Sequence, residues 1–145
     1  MTVTLIAVGF PGSGKSSLLK RFEGDYISRD ILGTDSKYFK AIRESKANVI
    51  LLDKCHHSIK SREDVLKQLP KDCEVFWILF YHPKGIEEAA KICIERCKSR
   101  GTKNSHIIVN MVKKYWQEPT DGNIIRVNLL LKKREIVSQI LNSEF

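Results

Sequence analysis

The stretch GFPGSGKSS, Gly9 to Ser17, constrains the fold of this 145-residue chain more than any other. It fits G-x-x-x-x-G-K-[ST], with Gly9, Gly14, Lys15 and Ser16 at the fixed positions. It follows the apolar run VTLIAV and precedes a segment that can become a helix. Glycines at 9, 12 and 14 let backbone N–H groups turn inward around an anion without Cβ interference. A helix starting there would aim its N-terminus at the same anion. Pro11, Ser13 and Ser17 complete the nucleotide-binding stretch. Lys15 is expected to bridge the β- and γ-phosphates, and Ser16 to put its hydroxyl on Mg²⁺. A dinucleotide fingerprint does not fit, because the third glycine position after Gly12 and Gly14 is Ser17.

Short β-rich runs alternate with longer helical patterns along the rest of the chain. Strands are expected over Val3–Gly9, Asn48–Asp53, Glu74–Tyr81 and Asn123–Leu129, with a short one at Asp25–Ser28. Helices are expected over Gly14–Phe22, Ser36–Ser45, Lys60–Leu69, Lys84–Cys97, Ser105–Trp116 and Lys132–Leu141, with Pro83 and Pro119 at helix borders. This alternation predicts one α/β domain over 1–145: a P-loop NTPase three-layer fold, a parallel sheet of about five strands with helices on both faces and a basic lid. In such a sheet, ligands gather beyond the carboxyl ends of the strands.

Asp53 closes the strand VILLD, where a carboxylate can hold a Mg²⁺-bound water or simply cap the next turn. An aspartate–x–x–glycine element does not follow it, and no N-K-x-D occurs, which excludes switch GTPases. Large motor ATPases need more chain, so a small phosphotransferase remains. Asp30, just past the short strand, could take the proton of an attacking hydroxyl; helix capping is its alternative role. Asp35 is the runner-up base and reads as the N-cap of the helix beginning at Ser36. Arg96, Lys98 and Arg100 fall on alternate positions beside Gly101, which suits a lid closing over phosphates or a solvated helix end.

Charge sharpens the choice of partner. The net charge is +8 and the isoelectric point about 9.4, which favours polyanions. From Lys91 to Lys114 the chain carries Lys91, Arg96, Lys98, Arg100, Lys103, Lys113 and Lys114 against the one acid Glu95. The four cysteines form no C-x-x-C pair, so a reducing intracellular compartment is expected, cytoplasmic and nuclear settings remaining open. No secretory signal is expected before the first strand, and the apolar runs fall short of the ~20 residues that span a bilayer. Cys93 and Cys97 read as core residues, and His56, His57 and His106 as polar contacts.

GFPGSGKSS, then SRD, then SRGTK, spaced as here, resemble the 5′-hydroxyl polynucleotide kinases, and DKCHHSIKSRE and RGTKNSHIIV resemble the kinase module of fungal and plant-type tRNA ligases in particular; the phage polynucleotide kinase is similar too. The resemblance runs from Val3 to about Trp116. It implies ATP or GTP as donor, Mg²⁺ as cofactor and the 5′-OH of RNA, or of DNA, as acceptor. Lys15 and Ser16 would hold nucleotide and metal, Asp30 would be the general base, and Arg100 would contact phosphates with Arg96 beside it. Acceptor contacts would come from Arg29, Lys37, His57 and Arg62; where the family places an arginine after the base, Lys37 and Lys40 are nearest here. A ligase or phosphodiesterase partner unit outside this chain would fit such a role. Two alternatives stand beside this reading: a small-molecule kinase of the shikimate, gluconate or nucleotide type, and a nucleotide-binding interaction module without turnover.

Overall fold

The computed structural model describes residues 2–131 and Glu135. The chain forms β1 (Val3–Val8), α1 (Lys15–Leu19), β2 (Asp25–Ser28), α2 (Arg29–Leu32), α3 (Asp35–Glu44), β3 (Val49–Asp53), α4 (Ile59–Leu66), β4 (Glu74–Tyr81), α5 (Ile86–Ser99), α6 (Ser105–Lys114) and β5 (Asn123–Asn128). The helix expected over 132–141 falls, Glu135 apart, outside the described residues.

The five strands are all parallel, in the order β2-β3-β1-β4-β5. Successive side chains of a strand point to opposite faces, and both faces here are apolar. Leu5, Ala7, Leu51, Phe76, Ile78 and Phe80 pack with Leu18 and Leu19 of α1 on one side. Ile6, Val8, Ile50, Leu52, Trp77 and Leu79 pack with Tyr38, Ile42 and Val65 of α3 and α4 on the other. That is why the strands read as continuous hydrophobic runs: a parallel sheet is covered on both faces. A third cluster joins α5 and α6 to Phe10 through Ala89, Ala90, Cys93, Cys97 and Val109. Cys93 and Cys97 are core residues of that cluster, both free thiols.

Three local departures from expectation have simple causes. α1 ends at Leu19 because the next amides turn back early, Arg21 to the Leu18 carbonyl and Phe22 to the Leu19 carbonyl. α2 is a single turn, started by the Ser28 side chain on the Ile31 amide and stopped by Gly33 at φ 90°. α5 runs on to Ser99, with Glu87 and Glu88 in its first turn and Arg96 and Lys98 in its last, each sign complementing the helix dipole.

Because every strand runs the same way, the loops after β1, β2 and β3 open at one edge. Gly9, Asp30 and Asp53 therefore share that edge.

Candidate active site

The loop after β1 is held shut from outside. The Gly9 amide donates to the Cys55 carbonyl at 3.0 Å, and the Ser13 amide to the Phe10 carbonyl at 3.1 Å. A side chain on Gly9 would start 2.6 Å from the Ser13 hydroxyl oxygen. Pro11 and Gly12 make the turn at the loop's crown, with Gly12 at φ 83° and Gly14 at φ 103°. Ring stacking of Phe10 on Trp116, centroids 4.9 Å apart, anchors the loop to the segment after α6.

Lys15 is only 8% exposed, and its ammonium donates to the Phe10 carbonyl at 2.6 Å. An ammonium has three donors, so an anion in the loop would find N–H groups to accept. The Ser13 hydroxyl is buried with no hydrogen-bond partner, and so is His57 Nδ1, among the described residues. A partnerless hydroxyl costs stability unless something else fills the space. A phosphate oxygen in the loop would meet it.

On the α1 side, the Ser16 hydroxyl donates to Asp53 Oδ2 at 2.5 Å, and the Tyr26 hydroxyl donates to the same oxygen. Burial, followed by the hydrogen bond to Asp53, pushes the Tyr26 phenol up, so at neutral pH it stays a donor. Ser16 and Asp53 offer hard oxygen ligands, the kind Mg²⁺ takes together with phosphate oxygens and waters. Among the described residues no cluster of three or more His, Cys, Asp or Glu could cage a metal. The pair fits an ion that arrives with a nucleotide.

Burial pushes the thiol of Cys55, in the loop after β3, up. Lys15, Asp30 and Asp53 follow or close the carboxyl ends of β1, β2 and β3, so the phosphate loop, the metal-side carboxylate and Asp30 lie along one edge of the sheet. Asp30 is exposed in the first turn of α2, whose cap is Ser28; the capping alternative for Asp30 is thereby removed.

Asp35 does not cap α3, contrary to expectation. Thr34 does, its hydroxyl accepting from the Lys37 amide. Asp35 instead pairs with Arg29 Nε at 2.8 Å and Lys54 Nζ at 3.4 Å. The Arg29 hydrogen bond, with Lys54 beyond it, holds its carboxyl below the usual range against burial. Arg29 also donates to the Gly33 carbonyl.

Of the remaining acceptor candidates, Lys37 projects from an exposed position of α3, and His57 is half-buried beside Lys54 and Arg62. Burial and those two cations lower the His57 pKa. Arg62 departs from expectation. It is buried, and its guanidinium donates to the carbonyls of His56 (2.8 Å) and Gln117 (2.5 Å). These two bonds brace the loop after β3 against the segment at Gln117.

Of the two lid arginines, Arg96 lies in the last turn of α5 and Arg100 is its C-cap residue. Arg96 and Arg100, one turn apart, line a cavity of about 680 Å³ together with Gly12, Ser13, Gly14, Ser17 and Leu129. Lys98 turns to Glu95, 3.6 Å away and well exposed. Arg96 donates to the Leu129 carbonyl at 2.5 Å, and Arg100 to Cys97 Sγ at 3.5 Å. Arg21, in the turn just past the end of α1, also lines this cavity. Lys54 and Tyr26 carry no signal in the sequence: the β2–β3 pairing brings Tyr26 to Asp53, and the approach of the α3 N-terminus to the loop after β3 brings Asp35 to Lys54.

No protein-family model matches the chain, and no curated protein matches it in sequence. Solved structures do resemble it. A gluconokinase from Sinorhizobium meliloti 1021 is 17% identical with a TM-score of 0.67, over 97% of this chain and 89% of its own. A fungal RNA kinase is 14% identical with a TM-score of 0.71, over 97% of this chain and 83% of its own. A sugar kinase from Janibacter sp. HTCC2649 is 14% identical with a TM-score of 0.68, over 97% and 93%. Likeness at this distance is a statement about architecture: the chain has the α/β fold of the small P-loop kinases.

Proposed function

We propose that this protein is a kinase that moves the γ-phosphate of ATP or GTP to the 5′-hydroxyl end of RNA, with DNA as an alternative acceptor. The observation that carries the reading is that Lys15, Asp30 and Asp53 follow or close the carboxyl ends of β1, β2 and β3, at one edge of the sheet, with Ser16 hydrogen-bonded to Asp53 at 2.5 Å. A phosphate cradle and an exposed carboxylate at one sheet edge suit phosphoryl transfer to a hydroxyl. Asp35, neutralised by Arg29 and Lys54, leaves Asp30 as the base.

In this mechanism the loop amides and Lys15 hold the β- and γ-phosphates, while Ser16 and Asp53 orient the metal side. Mg²⁺, when bound, supplies neutralisation of charge on the phosphate oxygens. Asp30 takes the proton as the acceptor oxygen forms its bond to the γ-phosphorus. The bond from that phosphorus to the β–γ bridging oxygen breaks, and the nucleoside diphosphate leaves. Arg100, with Arg96, steadies the transferring group electrostatically. Arg29, Lys37 and His57 flank the acceptor side.

RNA as the acceptor is supported by the basic run over Lys91–Lys114, by the motif resemblance and by the architectural likeness to a fungal RNA kinase. A small polyol or sugar acid is the second reading, favoured by the comparable likeness to a gluconokinase and a sugar kinase. Acceptor competition separates them: a 5′-OH RNA oligonucleotide, the same oligonucleotide bearing a 5′-phosphate, and gluconate are offered with labelled ATP and GTP. Label on the 5′-OH RNA alone is expected. Label on gluconate alone would replace this reading with the second.

A further inference from the structure

From the hydrogen bonding at Asp53 we infer that Tyr26 is a positioning residue for the Mg²⁺·nucleotide site: its hydroxyl holds the Asp53 carboxylate in place for the metal side. The inference rests on the phosphate-site half of the proposed function and not on the identity of the acceptor.

The sheet makes the contact. In the β2–β3 pairing Tyr26 stands opposite Leu51, and Ser28 opposite Asp53. Tyr26 and Asp53 are therefore diagonal neighbours on one face, within reach of a long side chain. That face is the α1 face: Leu51, Leu18 and Leu19 belong to its core cluster, and the Tyr26 ring packs against them. Lys20 Nζ sits over the ring, 5.4 Å from its centroid. The phenol is thus gripped by apolar packing and a cation, with only its hydroxyl directed at Asp53.

Asp53 Oδ2 accepts from both Ser16 and Tyr26. The two donors come from different elements and have different duties. The Ser16 hydroxyl would also present a lone pair to the ion while its O–H stays on Asp53, so it would serve both as ligand and as donor. Tyr26 has no such duty and can hold the carboxylate throughout. Outer partners of this kind orient the groups that meet a metal, and their loss typically costs 10–100-fold in metal affinity.

The test is the Mg²⁺ dependence of nucleotide binding, read from a fluorescent nucleoside diphosphate with no acceptor present. Tyr26→Phe keeps the ring and removes the hydroxyl. It is expected to bind the diphosphate as wild type does in chelator, and to need roughly tenfold more Mg²⁺ for half of the metal-induced gain. Thermal unfolding of the variant without Mg²⁺ controls for a merely structural role, which would lower the melting temperature and leave the Mg²⁺ midpoint in place. An unchanged midpoint beside a responsive wild type would overturn the role of Tyr26 and leave the kinase reading standing. A shifted midpoint with no label reaching RNA would do the reverse. A wild type whose nucleotide binding ignores Mg²⁺ would overturn both.

Discussion

His56 shows how far a residue's chemistry depends on what the fold brings to it. It has no exposed surface, its Nδ1 faces the Ala7 carbonyl at 2.6 Å, and its Nε2 faces the Tyr38 hydroxyl at 2.9 Å. A carbonyl only accepts, so Nδ1 carries the hydrogen and Nε2 accepts from the phenol. Burial, with Lys54, Lys15 and Arg62 adding to it, lowers the pKa from 6.5 to about 3, against the Ala7 bond, which raises it. The unfolded chain therefore takes up a proton that the folded one refuses. The stabilisation is complete above pH 6.5 and drains away as pH falls toward 3, by at most about 1.4 kcal/mol per pH unit. His56→Gln should flatten the fall in denaturation midpoint between pH 6 and pH 4; an unchanged slope would mean another group titrates. Lys15, Ser16 and Asp53 were legible in the sequence, because a fixed spacing and a strand end identify them. His56 and Tyr26 were not, since their partners lie 49 and 27 positions away and only the sheet joins them.

At the scale of elements, the phosphate loop and α5 are one packed unit. A Cβ on Gly12 would lie 2.8 Å from the Cys93 carbonyl oxygen and 2.9 Å from Cys97 Sγ, at a φ of 83° that side chains disfavour. Gly12→Ala should accordingly destabilise the fold by roughly 1–3 kcal/mol from strain and overpacking. It should also weaken nucleotide binding more than tenfold. Calorimetry and a nucleotide titration check both, and normal binding at a normal melting temperature would count against this packing. The long strands and α3 to α6 were legible from periodicity. The one-turn α2 was not, being set by the Ser28 cap and Gly33 rather than by any pattern. The helix expected to end at Cys97 runs two residues further, so Arg96 and Arg100 fall on one face at its end and Lys98 leaves that face, which their alternation in sequence does not show. Arg62, expected among the acceptor contacts, is buried and donates to the carbonyls of His56 and Gln117, partners that no sequence pattern announces.

For the whole molecule, the parallel order β2-β3-β1-β4-β5 puts the loops after β1, β2 and β3 at one edge, and the chain carries a net charge of +8, which favours polyanionic partners. No helix among the described residues is long and apolar enough to cross a membrane. If about three Lys or Arg side chains meet RNA phosphates, affinity for a single strand should fall roughly twentyfold between 50 and 200 mM salt. Binding indifferent to salt, measured by fluorescence anisotropy, would argue against an electrostatic RNA surface. The central claim, phosphoryl transfer to a nucleic-acid end, is tested most directly by incubating γ-³²P-labelled ATP or GTP with a 5′-OH RNA oligonucleotide and Mg²⁺. Wild type runs beside Lys15→Ala and Asp30→Ala. The account predicts label at the RNA 5′ end from wild type, and at least a hundredfold less from Lys15→Ala and Asp30→Ala. Wild type that binds nucleotide but labels no RNA, or Asp30→Ala that labels it as well as wild type does, would contradict it.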